Sequence, residues 1–400
     1  MCTQWDNDEV VQRFRDYLRI ASVQPDVDYG ECVNFLKKQA AELDLPVVVY
    51  ELVPKKPIVV ITWEGSEPMQ QSILLNSHMD VVPVNEEHWS YPPFEATIAD
   101  DGCIYARGTQ DMKSVGMMHI EAVRRLKDAG IRLKRTIHIS FVPDEEIGST
   151  DGMRVFAASE EFKKLNVGFE MDESGPSKWP NQLYMFYGER TLRQITVTCK
   201  AAPGHGSLIV AGPELTAGEK LLNILEKFMS FRAQEKQKVE KGAWFGDVTT
   251  VNLTQIEGGV QVNVLPESLS LTFDIRIATD VDLDEFENMI SRWCKESGPH
   301  VTYEYIAKNP KIESTKINNL KYWDTMKKAA NNMGIEVIPV ICPGTTDARF
   351  IREQGIPAIN FTPILSTPLL VHGNDESIHV DMYKKGIEIM TNVVEGVANA

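Results

Sequence analysis

The chain has 400 residues, too many for one compact core and enough for two domains. Hydrophobic residues make up 43% and charged residues 24%, as in an ordinary globular protein, and a formal net charge of −16 argues against nucleic acid or anionic membrane as the main partner. Small molecules and other proteins remain.

The stretch Met1-Cys2-Thr3-Gln4-Trp5-Asp6 has neither the basic start nor the apolar core of a signal peptide. No run of about 18 apolar residues could span a bilayer, so a cytoplasmic location is expected. Cys2, Cys32, Cys103, Cys199, Cys294 and Cys342 are scattered without C-x-x-C spacing, which favours reduced thiols over a disulfide framework or a zinc finger.

A first helix is expected to start near Asp6, with Glu9 three positions on and Val10, Val11, Phe14 and Leu18 along one face. A second carries Val33, Leu36, Ala40 and Leu43. Apolar and β-branched runs at 47–52, 58–63 and 72–76 read as strands, the last leading into Ser77-His78-Met79-Asp80. A strand that stops at His-x-Asp puts an imidazole at the carboxyl end of a sheet, where open α/β proteins bind ligands, with a carboxylate close enough to orient the ring. Alone, the same tripeptide also fits a satisfied polar pair. Asp111 precedes a helical pattern of Val115, Met118, Ala122, Val123 and Leu126 that stops at Gly130, and its residue type suits a helix cap as well as a ligand. Strands at 136–142 and 167–171 end in Asp144-Glu145-Glu146 and Asp172-Glu173.

Three strands thus end in acidic or His-x-Asp groups, and a parallel sheet brings such ends to one rim. Carboxylates crowded there repel one another unless cations neutralise them, which points to a metal site of the paired-ion kind rather than to solvated strand ends. Between residues 188 and 307 the pattern changes. Strand 192–199, helix 214–231, strands 248–256 and 269–277, helix 283–294 and strand 301–306 spell βαββαβ, the ferredoxin-like motif, inserted into a domain of residues 1–187 and 308–400. The chain then resumes α/β alternation, with helices at 323–332, 347–354 and 382–397 and strands at 336–341 and 357–361. Arg349 can grip a substrate carboxylate through two parallel hydrogen bonds, or pair with Glu353 four residues on. Unaided, Asn263 and the Pro203-Gly204-His205-Gly206-Ser207 run read as turns.

The runs Ser77-His78-Met79-Asp80-Val81-Val82-Pro83, Arg107-Gly108-x-x-Asp111-Met112-Lys113, Pro143-Asp144-Glu145-Glu146-x-Gly148, Met171-Asp172-Glu173 and Pro203-Gly204-His205-Gly206-Ser207 resemble, in order and spacing, the signature of the dizinc aminoacylases and their aminopeptidase and carboxypeptidase relatives. The resemblance covers nearly the whole chain. It is nearest to the cytosolic aminoacylase branch through Val251-Asn252-Leu253-Thr254-x-x-Glu257-Gly258-Gly259-Val260 and Thr346-Asp347-x-Arg349.

The resemblance implies an α/β zinc-peptidase-like catalytic domain with a ferredoxin-like α+β insert that is both lid and dimerisation domain. It implies two zinc ions per subunit, one held by His78 and Glu173, the other by Glu146 and His372, with Asp111 bridging. His372 is chosen over His379 because the family pattern of a ligand histidine followed four residues later by glutamate matches His372 and Glu376. Glu145 is implied as general base, and Asp80 as the group that fixes the His78 ring. A cis peptide at Asp111-Met112, an Asn263 that reaches in from the lid, and a His205 that donates across a homodimer interface complete the set. The expected reaction is hydrolysis of N-acyl-L-amino acids; the alternative is a dipeptidase or carboxypeptidase on the same scaffold.

Overall fold

The computed structural model describes Trp5, residues 7–211 and residues 214–400. Asp6, the expected start of the first helix, and Cys2 lie outside the described residues. The elements used below are, in chain order, α1 (Glu9–Leu18), α2 (Gly30–Glu42), β1 (Val47–Val53), β2 (Lys56–Trp63), β3 (Ser72–His78), α3 (Lys113–Asp128), β4 (Ile137–Val142), β5 (Val167–Asp172) and β6 (Gln182–Glu189). They continue with β7 (Thr191–Lys200), α4 (Ala217–Glu240), β8 (Thr250–Gly258), β9 (Ser268–Ile277), α5 (Leu283–Ser297) and β10 (Val301–Lys308). The last are α6 (Lys321–Asn332), β11 (Glu336–Cys342), α7 (Ala348–Glu353), β12 (Ala358–Phe361) and α8 (Val380–Asn399).

Two compact units form. The first comprises the chain up to Tyr187, Thr315–Val340 and Thr346–Ala400; the second comprises Gly188–Ser314 and Ile341–Thr345. In the first unit eight strands make one sheet in the order β1-β2-β4-β3-β5-β12-β6-β11. Strands β4, β3, β5 and β12 run parallel, so their carboxyl ends share one rim. Every residue of β3, β4 and β5 is buried, as expected of parallel strands covered on both faces. The covering helices contribute apolar stripes, among them Val11, Phe14 and Leu18 of α1, Val115, Met118 and Val123 of α3, and Ile387, Val393 and Val397 of α8.

Helix α1 begins on Asp8, whose side chain accepts hydrogen bonds from the backbone N–H groups of Val10 and Val11 at 3.1 and 3.3 Å. Strand β6 was not expected. Only Arg190 separates it from β7, so no turn residue marks the boundary between two strands.

The second unit is a four-stranded antiparallel sheet, β8-β9-β7-β10, with α4 and α5 packed on it through Ile224, Phe228, Phe286, Ile290 and Cys294. Numbered within the unit, that order is 2-3-1-4, which is the ferredoxin-like arrangement of βαββαβ. Helix α4 runs to Glu240 rather than to residue 231. It opens with a capping box between Thr216 and Glu219, and its last turns are polar and largely exposed, so they carry no apolar stripe to read. Cys32, Cys199 and Cys294 are buried free thiols, Cys103 is a partly exposed one, and Cys342 is buried. Among the described residues, no helix is long and apolar enough to cross a membrane.

Candidate metal centre

The rim of the parallel strands gathers groups that lie far apart in the sequence. His78 ends β3, Glu145 and Glu146 sit on a short turn after β4, and Glu173 follows β5. Asp111 lies on the loop before α3. The helix starts at Lys113 with no side-chain cap, so Asp111 does not serve as its cap. The Asp111-Met112 peptide is cis, as the resemblance implies.

The Nε2 of His78 lies 3.0 Å from Oδ1 of Asp111 and 3.3 Å from Oε1 of Glu173. The Nε2 of His372 lies 3.1 Å from Oδ2 of Asp111 and 3.0 Å from Oε2 of Glu146. Asp111 therefore faces one imidazole with each oxygen, the geometry of a bridging carboxylate. Ligand atoms of His78, Asp111 and Glu146, and separately of His78, Glu145 and Glu173, lie within 4.8 Å of one another. The second oxygen of Glu146, Oε1, is buried without a hydrogen-bond partner. Nitrogen and carboxylate donors at these separations, one of them aimed at nothing in the protein, fit a metal centre.

The electrostatics agree. Burial, reinforced by the Asp347, Glu173 and Glu146 charges, raises the Glu145 carboxyl well above the usual range. Burial and Asp111 push Glu146 up to about 7 and raise Glu173 well above its ordinary value. Hydrogen bonds donated to the Asp111 and Glu146 carboxylates push His372 up to about 10. Burial disfavours the charged His78 ring, yet Glu173, Asp111 and Asp80 outweigh it and raise the ring's proton affinity. These directions mark a surplus of buried negative charge, which a cation would offset.

Asp80 does more than was expected of it. Nδ1 of His78 is nearer the Asp80 backbone carbonyl, at 2.9 Å, than its carboxylate, at 3.5 Å. The carboxylate instead accepts from the backbone N–H groups of Glu145 and Glu146, at 3.2 and 3.1 Å, and so ties the end of β3 to the turn after β4.

Glu376 entered the sequence reading only as a marker for His372. Fully buried, it accepts from Arg107 Nη1 at 2.6 Å and from the N–H groups of Gln110 at 2.6 Å, Gly108 at 3.2 Å and Asp111 at 3.3 Å. Gln110 then reaches the other way, accepting from Leu370 N–H and donating to the Pro368 and Ser377 carbonyls. The loop that presents Asp111 and the loop that presents His372 are thus one hydrogen-bonded body. His379 is elsewhere, accepting from Asp381 N–H at the start of α8. That leaves His372 in the centre.

Asp347 and Asp172 are buried, and the Asp347 charge bears on Glu145. Asp347 accepts from the Ser149 hydroxyl, and Asp172 from Asn76 and from the N–H of Ala348. Burial and the Asp172 charge raise Asp347 to about 7. Arg349 is buried, and its guanidinium donates to the Gly148 carbonyl at 2.9 Å rather than to Glu353. His205 and Asn263 lie in the second unit, where two short strands pair His205 with Val264 and where Gly206 N–H donates to the Asn263 carbonyl at 2.7 Å.

Residues 74–396 match the model of peptidase family M20/M25/M40. The chain is 44% identical to Aminoacylase-1 of Mus musculus, over 97% of this chain and 95% of that protein. It is 39% identical to Aminoacylase-1 of Dictyostelium discoideum, over 98% of each. Among solved structures it shares its fold with an M20 family metallo-carboxypeptidase from Sulfolobus solfataricus, at a TM-score of 0.74 and 19% identity, covering 98% of this chain and 99% of the other. A match over most of the chain, to relatives this similar and with a metal centre built from the matched strand ends, has one meaning: the chain belongs to peptidase family M20/M25/M40.

Proposed function

We propose that this chain hydrolyses the amide bond of N-acyl-L-amino acids, releasing a carboxylic acid and a free L-amino acid. The observation that carries the reading is the 44% identity to Aminoacylase-1 over nearly the full length of both chains, together with a centre whose donors lie in that same aligned span. The carboxypeptidase-like relative in Dictyostelium discoideum is 24% identical, which makes peptide cleavage the weaker alternative.

In this reading His78 and Glu173 hold one zinc ion, Glu146 and His372 the other, and Asp111 bridges them. Bound there, the ions supply a nucleophilic water near neutral pH and polarise the scissile carbonyl. Glu145 takes the proton from the attacking water and hands it to the departing amine. Burial and the neighbouring carboxylates raise its proton affinity, the direction a proton acceptor needs. Asp80 keeps the turn of Glu145 in place through two backbone N–H groups, and Glu376 does the same for the loop of Asp111.

The second unit acts as lid and dimer module, in a cytoplasmic homodimer, and brings His205 and Asn263 to the reaction. His205 donates a hydrogen bond to the oxyanion forming in the partner's site, a contact made mainly in the transition state and worth about 10²–10³ in kcat. His205→Ala and Glu145→Ala homodimers are each expected to be nearly inactive. In mixed dimers the chain lacking His205 keeps Glu145 and borrows the intact His205, so one complete site of two returns. Proven heterodimers as inactive as their parents would remove His205 from the reaction.

Arg349 grips the substrate carboxylate in this scheme. Arg349→Ala should then lower kcat/KM for an N-acyl amino acid far more than for its methyl amide, because a charge-assisted bidentate contact exceeds a neutral one. Equal losses on both would mean that the Gly148 contact is the whole of its role.

The reaction itself is tested by counting zinc in the purified protein and comparing N-acetyl amino acids with dipeptides. Turnover of the dipeptides alone would overturn the reading.

A further inference from the structure

The turn that carries Glu145 and Glu146 is held, besides Asp80, by residues that the family match, which begins at residue 74, does not include. Asp144, the residue before Glu145, is buried and has left-handed backbone geometry, φ 63° and ψ 25°. A residue with a Cβ seldom adopts that conformation unless neighbours hold it there. The neighbours are Gln24, Tyr29 and Lys56.

The Tyr29 hydroxyl clasps Asp144 at two points, donating to Oδ1 at 2.7 Å and accepting from the backbone N–H at 3.0 Å. Lys56 at the start of β2 meets the other carboxylate oxygen, Oδ2, at 2.6 Å. Gln24 Nε2 lies 2.9 Å from Asp144 Oδ1 and 2.8 Å from Asp80 Oδ2. One amide group therefore bridges the second residue after β3 and the second residue after β4. Its orientation follows from chemistry, since the flipped amide would set an oxygen against two carboxylates. Gln24 is itself fixed by backbone bonds on either side of it in space. Its N–H donates to the Val81 carbonyl at 3.0 Å, and Val81 N–H donates to the Ser22 carbonyl at 2.9 Å.

We infer that Gln24, Tyr29 and Lys56 are positioning residues for the reaction, an N-terminal buttress that sets the turn bearing the general base and one metal ligand. Asp80 is the hinge of the argument. It accepts from Gln24 on one side and from the N–H groups of Glu145 and Glu146 on the other, so displacing Gln24 frees the turn on which both glutamates depend. None of the three touches the centre's ligating atoms, and their effect passes entirely through Asp80 and Asp144.

This inference rests on the proposed amide hydrolysis, and the test separates the two. Gln24→Met keeps the side-chain length and removes both donors; Tyr29→Phe removes one oxygen. With saturating zinc, each variant should hold as much metal as the parent, while kcat falls about 10–100-fold and KM moves by less than about threefold. The zinc dissociation constant should rise by about tenfold through the loosened Glu146. In a Glu145→Gln background the further loss from Gln24→Met should vanish, because the group being positioned is gone. An unchanged zinc dissociation constant, a kcat within about twofold of the parent, or the same fold loss in the Glu145→Gln background overturns the buttress. If Gln24→Met fails to fold, Tyr29→Phe carries the same comparisons. A parent protein inactive on every N-acyl amino acid refutes the reaction instead, and the zinc measurement still decides the buttress.

Discussion

Glu145→Gln will lower kcat by at least about 10²–10⁴ while the protein keeps its metal, because the substitution removes general-base help and little else. The amide has the shape of the carboxylate but cannot take up the proton of an attacking water. Glu145 is the right group to lose. Among the acidic residues at the strand ends, Glu146 lies against His372 and Glu173 against His78 at ion-pair distance, whereas Glu145 comes only within 4.8 Å of a His78 ring nitrogen. Metal analysis beside the kinetics makes the result decisive. Near-normal turnover in a fully metallated variant would remove Glu145 from the role of base, and loss of metal along with activity would make it a ligand.

The second large effect is on folding as well as activity. Glu376→Ala takes away a fully buried carboxylate and leaves the Arg107 guanidinium and the N–H groups of Gly108, Gln110 and Asp111 without their acceptor. Breaking a buried ion pair from one side costs about 3–5 kcal/mol, a large part of the 5–15 kcal/mol by which a typical domain is stable. The melting temperature should fall by several degrees, and the surviving folded protein should bind metal poorly, since Asp111 and His372 are both presented by loops that Glu376 and Gln110 tie together. Glu376→Gln, which retains one acceptor oxygen, should lie between the two. An alanine variant with parental melting temperature and metal content would show that the loops hold themselves.

The contrast between these two residues shows what was legible in one dimension. His78, Glu145, Glu146 and Glu173 could be picked out as candidates because chemistry at a strand end leaves a local trace, an apolar run and then a histidine or acidic pair, whereas Asp111 and His372 came only from the family resemblance. The parallel core of β3, β4 and β5 was legible for the same reason, as was the βαββαβ order of the second unit. Each is a short-range pattern of burial, and burial is written residue by residue.

Glu376, Gln24 and Tyr29 leave no such trace. A glutamate between Asp375 and Ser377 looks like surface, and only folding brings it, from 265 positions away, onto the N–H of Asp111. Gln24 is 56 residues from Asp80 and 120 from Asp144, yet one amide meets both. The sequence by itself determined the strands of the parallel core, where they end and which side chains at those ends can ligate a metal. The tertiary structure alone decided which polar groups hold those ends still, because a buried carboxylate or amide takes its partners from whatever backbone the fold lays beside it, and no local pattern encodes that choice.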